Sequence, residues 1–207
     1  MIRKVFIILV FVFGCKNSFS QKNQKSLFSK KKQEEKVSIE KRKKLFENSF
    51  FMALRAKSIG DNQEALKHFE DCISLDKTVS APFYETAVIY SLKGDYNNSE
   101  ESIKTALKLT PKNRWYILLY ANTLFEKKDF FNAANQYKKL ITLEPNNQEL
   151  YFMLSDIYIY AKEFKKAIQV YDELQSKTGL DKSLSIQKYK LYREINDNKS
   201  AIHELEE

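Results

Sequence analysis

The chain has 207 residues, of which 30% are charged, 43% are hydrophobic and 14% are aromatic. This share of apolar side chains supplies a folded core and excludes a wholly disordered chain. Only 4 Gly and 3 Pro are present, too few for the turns of an all-β sandwich or for glycine loops that bind phosphate. Two His and two Cys cannot by themselves build a zinc site or a disulfide framework. We therefore expect a mainly helical protein without a metal or another cofactor.

The net charge of +8 is concentrated near the N-terminus. Residues 21–44 contain ten Lys or Arg against three Glu, whereas residues 45–207 contain 22 basic and 24 acidic residues. A protein that grips a phosphate backbone needs its cations clustered on a folded surface or on an arm. Because the main part of the chain is nearly neutral, we expect no nucleic-acid partner, and nothing in the sequence predicts a small-molecule substrate.

Residues 1–20 are typical of a secretory signal. Arg3-Lys4 precedes an apolar run over 5–13, which is about half the length of a membrane-spanning helix. A buried N-terminal helix is the other interpretation. Small residues in Ser18-Phe19-Ser20 suit cleavage before Gln21, while Val12-Phe13-Gly14-Cys15 resembles a lipobox that would place a lipid on Cys15. We expect export to the bacterial periplasm or outer membrane, with a lipid anchor as the alternative, or secretion.

Residues 21–45 predict a basic linker or a frayed helix, because they carry few apolar side chains and no sustained helical stripe. Two lysine-rich stretches lie in this segment, at 30–32 and at 41–44. Each cation near an anionic bilayer contributes on the order of 1 kcal/mol of attraction. An anionic envelope surface is therefore a second expected partner of the chain.

The rest of the chain repeats with a period of 34 residues. The repeated turn is Gly60-Asp61-Asn62, Gly94-Asp95-Tyr96, Lys128-Asp129-Phe130, Lys162-Glu163-Phe164 and Asn196-Asp197-Asn198. A small residue follows each turn start by five positions, at Ala65, Ser99, Ala133, Ala167 and Ala201. A bulky residue follows by nine, at Phe69, Ile103, Tyr137, Tyr171 and Leu205. Each unit is thus predicted to be two amphipathic helices around a tight turn.

Helix start and stop signals agree with this period. An Asp after the turn, as in Asp95, can accept hydrogen bonds from free amides of the second helix. Gly60 and Gly94 suit the left-handed backbone that ends the first helix. Pro111 and Pro145 predict the end of a second helix, with Asn113 and Asn146-Asn147 able to cap the next one.

The pattern resembles the tetratricopeptide repeat family. The resemblance implies an all-α, right-handed superhelical solenoid of antiparallel helix pairs, with units at 46–79, 80–113, 114–147, 148–181 and 182–207. Ser155, Tyr189 and Gly179 depart from the family pattern, so we expect less regular packing in the fourth and fifth units. The fifth unit is incomplete, which predicts either a piece of a longer protein or an end that packs against something else.

The same resemblance implies a concave surface lined by the first helix of each unit. Ten residues are predicted to bind a peptide there: Phe50, Leu54, Tyr84, Val88, Leu118, Leu119, Asn122, Phe152, Met153 and Asp156. Apolar and aromatic side chains of this kind suit a peptide with hydrophobic anchors. The alternative for any one of them is packing between neighbouring helices. Trp115 is either an anchor of the same groove or a packing residue at a helix start.

No arrangement of residues predicts catalysis. His68 and His203 lie far apart in the repeat, with no Ser or Cys in a nucleophile arrangement beside them. Cys72 falls on the apolar stripe of a helix, where we expect it to act as a small hydrophobic residue. We therefore expect the chain not to be an enzyme.

The sequence as a whole favours an exported scaffold that binds another polypeptide on an apolar and aromatic concave surface. Two alternatives stay open. One is an outer-membrane lipoprotein that acts as an assembly factor for envelope machinery. The other is the N-terminal interaction region of a longer regulatory or enzymatic protein.

Overall fold

Ten helices and no strand occur in the computed structural model, which describes residues 31–33 and 35–206. The first helix, α1, covers residues 35–58, and 31–33 are helical as well. The other nine are α2 (Asn62–Leu75), α3 (Ser80–Leu92), α4 (Tyr96–Leu109), α5 (Arg114–Glu126), α6 (Phe130–Leu143), α7 (Gln148–Tyr160), α8 (Phe164–Thr178), α9 (Lys182–Glu194) and α10 (Asn198–Glu206). The predicted all-α fold class is confirmed.

The helices pack in chain order. Each helix from α2 to α9 contacts the next one in sequence, and α3 also contacts α5. We call α1, α3, α5, α7 and α9 the first helices, and the helix after each of them the second helix. Since contacts run mainly between neighbours along the chain, the helix pairs stack as in a solenoid.

Apolar side chains from successive helices share each part of the core. Ala53 of α1, Phe69 of α2 and Ile89 of α3 are each 0% exposed and belong to one cluster. A larger cluster joins residues of α5 through α9. No helix pair therefore buries its apolar face alone, and each depends on the next pair for its stability.

The predicted alternation of small and bulky residues is reproduced in the packing. Every small residue of the set is 0% exposed, from Ala65 to Ala201. The bulky residues are also buried in the first four units, whereas Leu205 in the fifth is 59% exposed. The small side chains let the second helix lie close against the first.

The start and stop signals are confirmed with one exception. Asp61, Asp95, Asp129 and Asp197 each accept a hydrogen bond from the amide three residues later. Asn113 likewise caps α5. The predicted cap by Asn146-Asn147 is wrong, because Asn147 occupies the cap position but its side-chain amide donates to Glu144 Oε2 instead.

The turn inside each unit puts one residue in the left-handed region. This residue is glycine in the first two units, with φ of 81° at Gly60 and 75° at Gly94. Lys128 and Lys162 adopt the same conformation, with φ of 61° and 59°, and Asn196 has φ of 59°. For a residue with a Cβ, this left-handed conformation costs about 1–2 kcal/mol.

We therefore expect Lys128→Gly to raise the free energy of unfolding by about 1 kcal/mol, since the greater entropy of unfolded glycine offsets part of the gain. Gly94→Ala should lower it by about the same amount. An added Cβ at Gly94 would have no atom within 4 Å, so the cost would come from the backbone alone. Urea denaturation measures both changes. A fall in stability for Lys128→Gly would contradict this explanation.

Two further findings concern the predicted N-terminal segments. Residues 35–44 of the predicted basic linker are helical and exposed. Residues 1–30, with the predicted signal segment and Cys15, lie outside the described residues. Within 31–33 and 35–206, no helix combines the length and the apolar character that crossing a bilayer requires.

Candidate functional site

The first helices α1, α3 and α5 contact one another directly through their side chains. The ring of Tyr84 on α3 stacks against that of Tyr116 on α5, with centroids 4.7 Å apart. Lys57 of α1 donates a hydrogen bond from its ammonium group to Glu85 of α3. We use the name first-helix surface for seven members of the predicted set: Leu54, Tyr84, Val88, Leu119, Asn122, Met153 and Asp156.

The apolar members of the first-helix surface are accessible to different degrees. Leu54 and Met153 are 39% and 42% exposed. Val88 and Leu119 lie between Leu54 and Met153 along the chain, and both are half-buried. An apolar side chain of a binding partner that packs on Leu54 or Met153 is therefore removed from water, which favours binding. The half-buried residues add further apolar contact area.

Several members of the predicted set also pack against the core. The ring of Phe50 lies 5.8 Å from that of Phe69, and the ring of Phe152 lies 5.8 Å from that of Tyr171. Leu118 packs against the large core cluster. All three are half-buried, and so are Tyr84 and Leu119, which pack against another core cluster. The contacts of these residues therefore help to hold helices together.

The polar members of the first-helix surface occupy distinct environments. Asn122 is exposed, and its side-chain oxygen accepts a hydrogen bond of 2.9 Å from the Tyr137 hydroxyl. Burial raises the pKa of Tyr137 to about 12, so this hydroxyl stays a donor at neutral pH. Partial desolvation raises the pKa of Asp156. Burial, assisted by the charge of Glu85, raises the pKa of Tyr84.

The residues considered for catalysis or metal binding are dispersed. His68 lies within 3.2 Å of Glu64 and 3.6 Å of Asp71, both on its own helix. Cys72 is fully buried, and burial raises the pKa of its thiol to about 11, so it is a thiol at neutral pH. Among residues 31–33 and 35–206, no three His, Cys, Asp or Glu residues are grouped as metal ligands would be. Trp115 is 56% exposed, with the Arg114 guanidinium 4.5 Å from its ring centre.

Sequence reasoning missed two grooves on the side of the second helices. The α6–α8 groove has a volume of about 510 Å³ and lies between α6 and α8, above α7. The α4–α6 groove has a volume of about 410 Å³ and lies between α4 and α6, above α5. The grooves depend on how far neighbouring second helices separate, which the 34-residue period does not specify.

Sequence reasoning also missed a buried ion network in the last unit. Lys188 of α9 lies 2.7 Å from Glu204 of α10 and 2.7 Å from Asp172 of α8. Lys188 and Glu204 are each 6% exposed. In the 34-residue frame Lys188 occupies the position of Leu154, so a lysine at a core position was the signal that could have revealed it.

Comparison with known proteins supports the repeat assignment. Models of the tetratricopeptide repeat match residues 83–113 and 124–183. A search of curated protein sequences gives no match. These results place the repeat on most of α3, on α4 and on α6–α8, whereas only the last three residues of α5 are matched.

Solved structures with the same fold cover most of the chain. The MamA protein is 16% identical with a TM-score of 0.64, over 78% of this chain and 88% of that one. YrrB, described as a TPR protein with an unusual peptide-binding site, is 14% identical with a TM-score of 0.61, over 76% and 81%. Pseudomonas aeruginosa PilF is 15% identical with a TM-score of 0.54, over 79% and 74%. At these identities the likeness concerns the fold. The two family matches and the stacked helix pairs of this fold show that the chain contains tetratricopeptide repeats over residues 83–113 and 124–183.

Proposed function

We propose that the protein is a non-enzymatic scaffold that binds a polypeptide on the first-helix surface. The observation that carries this proposal is that the apolar side chains of Leu54 and Met153 are accessible to solvent. Both lie on helices whose other faces pack in the core. Exposed apolar groups on a rigid support bind with little loss of conformational entropy. The peptide-binding site for which YrrB is described supports the same class of ligand.

The ligand that fits this surface is a segment with apolar anchors and some hydrogen-bonding groups. Leu54, Leu119 and Met153 offer apolar contacts, while Asn122 and Asp156 offer polar ones. A few desolvated apolar contacts supply most of the binding energy at such surfaces. The polar groups fix the register of the bound segment, because a polar group left unpaired in the interface would cost free energy.

Photo-cross-linking in intact cells tests this proposal. A photoreactive amino acid replaces Met153 or Leu54 on the first-helix surface, and Glu70, exposed on α2, serves as the matched control. We expect one or a few defined protein products from Met153 and Leu54 that are absent from Glu70. The same products from all three positions would show that the labelling does not depend on the first-helix surface and would contradict the proposal.

We further propose that the protein is exported. The support is the sequence of residues 1–20, in which a basic start precedes an apolar run and small residues precede Gln21. Mass spectrometry of the mature protein decides how it is processed. Gln21 as the first residue indicates a released protein, and a lipid on Cys15 indicates the anchored form that would suit an envelope assembly factor. A mature protein that retains residues 1–20 without a lipid contradicts export.

A further inference from the structure

The two grooves on the side of the second helices repeat one chemical feature. In the α6–α8 groove the Lys138 ammonium lies 5.7 Å from the ring centre of Tyr158, and that of Lys166 lies 5.8 Å from it. In the α4–α6 groove Lys104 lies 5.8 Å from the ring centre of Tyr120. A tyrosine face attracts a cation, so each ring holds an ammonium group at its groove. Lys104 and Lys138 are 34 residues apart, which repeats the arrangement in successive units.

The charge of the two grooves is strongly one-sided. Five lysines and one glutamate line them: Lys104, Lys108, Lys138, Lys139, Lys166 and Glu173. Residues 45–207 as a whole contain slightly more acidic than basic residues, so the lysines are concentrated here. Lys104 and Lys166 already pair with Glu100 and Glu163 on their own segments of chain. Lys108 and Lys138 have no carboxylate within ion-pair distance in the described part of the chain, and they favour an anionic partner.

The floor of the α6–α8 groove is apolar. Ile141, Leu154 and Val170 lie at its base and are 8%, 3% and 6% exposed. Phe131 stands at the same groove and is 73% exposed. A partner that covered this ring would remove a large apolar surface from water, which stabilises association.

These features distinguish between kinds of anionic partner. A nucleic-acid backbone carries charge at every step, and two lysines without a carboxylate partner, Lys108 and Lys138, are too few to match it. A polypeptide can alternate carboxylates with apolar side chains and so match both the lysines and Phe131. The two grooves share α6, so one extended segment that crosses α6 reaches both.

We propose that the α4–α6 and α6–α8 grooves form a second docking surface, separate from the first-helix surface, that binds an acidic polypeptide segment with apolar side chains. Its carboxylates pair with Lys138 and Lys108, and its apolar side chains pack on Phe131 and the groove floor. The ion pairs mainly speed association and set its orientation, while the apolar contacts slow dissociation. The surface therefore selects partners that combine negative charge with an apolar anchor.

Fluorescence anisotropy tests this surface with the whole protein and a labelled peptide of alternating glutamate and phenylalanine. We expect saturable binding that weakens as salt is added. Lys138→Glu combined with Lys108→Glu should weaken binding by about tenfold or more, which corresponds to about 1.4 kcal/mol. Phe131→Ala should weaken binding at high salt as well, because its contribution is apolar. Circular dichroism confirms that each variant keeps its helical content.

Matched controls separate the proposal from general charge effects. Lys67→Glu makes the same charge change on α2, away from both grooves, and should not alter binding of the probe. Equal weakening by Lys67→Glu, undiminished binding of a glutamine–phenylalanine peptide, or absence of binding would each overturn the proposal. So would tighter, Lys138-dependent binding of a single-stranded oligonucleotide, which would assign the grooves to nucleic acid.

Discussion

Tyr151→Ala is expected to lower the free energy of unfolding by about 3–5 kcal/mol. Tyr151 is 0% exposed and lies on α7 within the core cluster that joins α5 through α9. Removing its ring leaves a cavity between helices whose backbones cannot close on it, because each also packs against another neighbour. Since a domain of this size is stabilised by only about 5–15 kcal/mol, the variant should lose a large part of its stability.

Tyr151→Phe is the matched control, because it keeps the ring and removes only the hydroxyl. That hydroxyl donates a hydrogen bond of 3.0 Å to the carbonyl of Pro145 and accepts one of 2.6 Å from Lys177. We expect a loss of about 1–2 kcal/mol, since Lys177 keeps Glu173 at 3.2 Å as a partner. Urea unfolding followed by circular dichroism measures both variants. Equal losses for Ala and Phe would show that the polar contacts, and not ring packing, dominate at this position.

The second large effect is expected at the buried ion network. Lys188→Leu should lower the free energy of unfolding by about 3–5 kcal/mol, because it leaves Glu204 buried without its cation. Glu204 is only 6% exposed, and its second carboxylate oxygen already has no hydrogen-bond partner in the described part of the chain. Asp172 is half exposed and remains solvated when Lys188 is lost.

The double variant Lys188→Leu/Glu204→Val should recover most of this loss. Leu154 and Val170 occupy the equivalent positions one unit earlier, so the double variant has the same apolar pair as the preceding unit. Replacing a buried ion pair by well-packed apolar residues is often neutral or stabilising. Urea unfolding of the two single variants and the double variant forms a thermodynamic cycle. A double variant as unstable as the sum of its single variants would contradict the assigned pairing.

The network also predicts how stability depends on pH. Burial by itself lowers the pKa of Lys188, but the hydrogen bonds and charges of Asp172 and Glu204 outweigh it, and the pKa is raised. A raised lysine pKa contributes stability below the ordinary value of 10.5, and this contribution is lost as pH rises through the folded-state value. The wild type should therefore lose more stability than the double variant in strongly alkaline solution.

Much of the fold follows from short-range chemistry that is visible in the sequence. Asp95 and Asp129 cap their helices because a carboxylate at that position reaches the free amides directly, and Gly94 takes the left-handed turn without strain. Asn147 fails as a cap because a competing acceptor, Glu144, lies one turn earlier on the chain. Local signals are thus reliable where no neighbour competes for the same side chain.

The surfaces were harder to predict, because helical spacing does not separate adjacent faces of one helix. Phe50 lies one helical turn before Leu54, and Phe152 directly precedes Met153, yet their rings contact Phe69 and Tyr171 inside the stack. The grooves beside α6 depend on the distance between second helices, which side-chain volumes in the core determine. Lysines such as Lys138 therefore look like ordinary solvent-exposed residues until the neighbouring helix is placed.

The most direct test of the stacked-array account is deletion of one 34-residue unit, residues 114–147, which removes α5 and α6 and joins α4 to α7. In an array of nearest-neighbour contacts the remaining units keep their register, so helical ellipticity per residue should be unchanged. Unfolding should stay cooperative, and the free energy of unfolding should depend less steeply on urea concentration, because less surface is exposed. Deletion of residues 114–129, one helix with its turn, should destroy the register and the stability. Loss of helical signal after the 34-residue deletion, or equal tolerance of both deletions, would contradict the account.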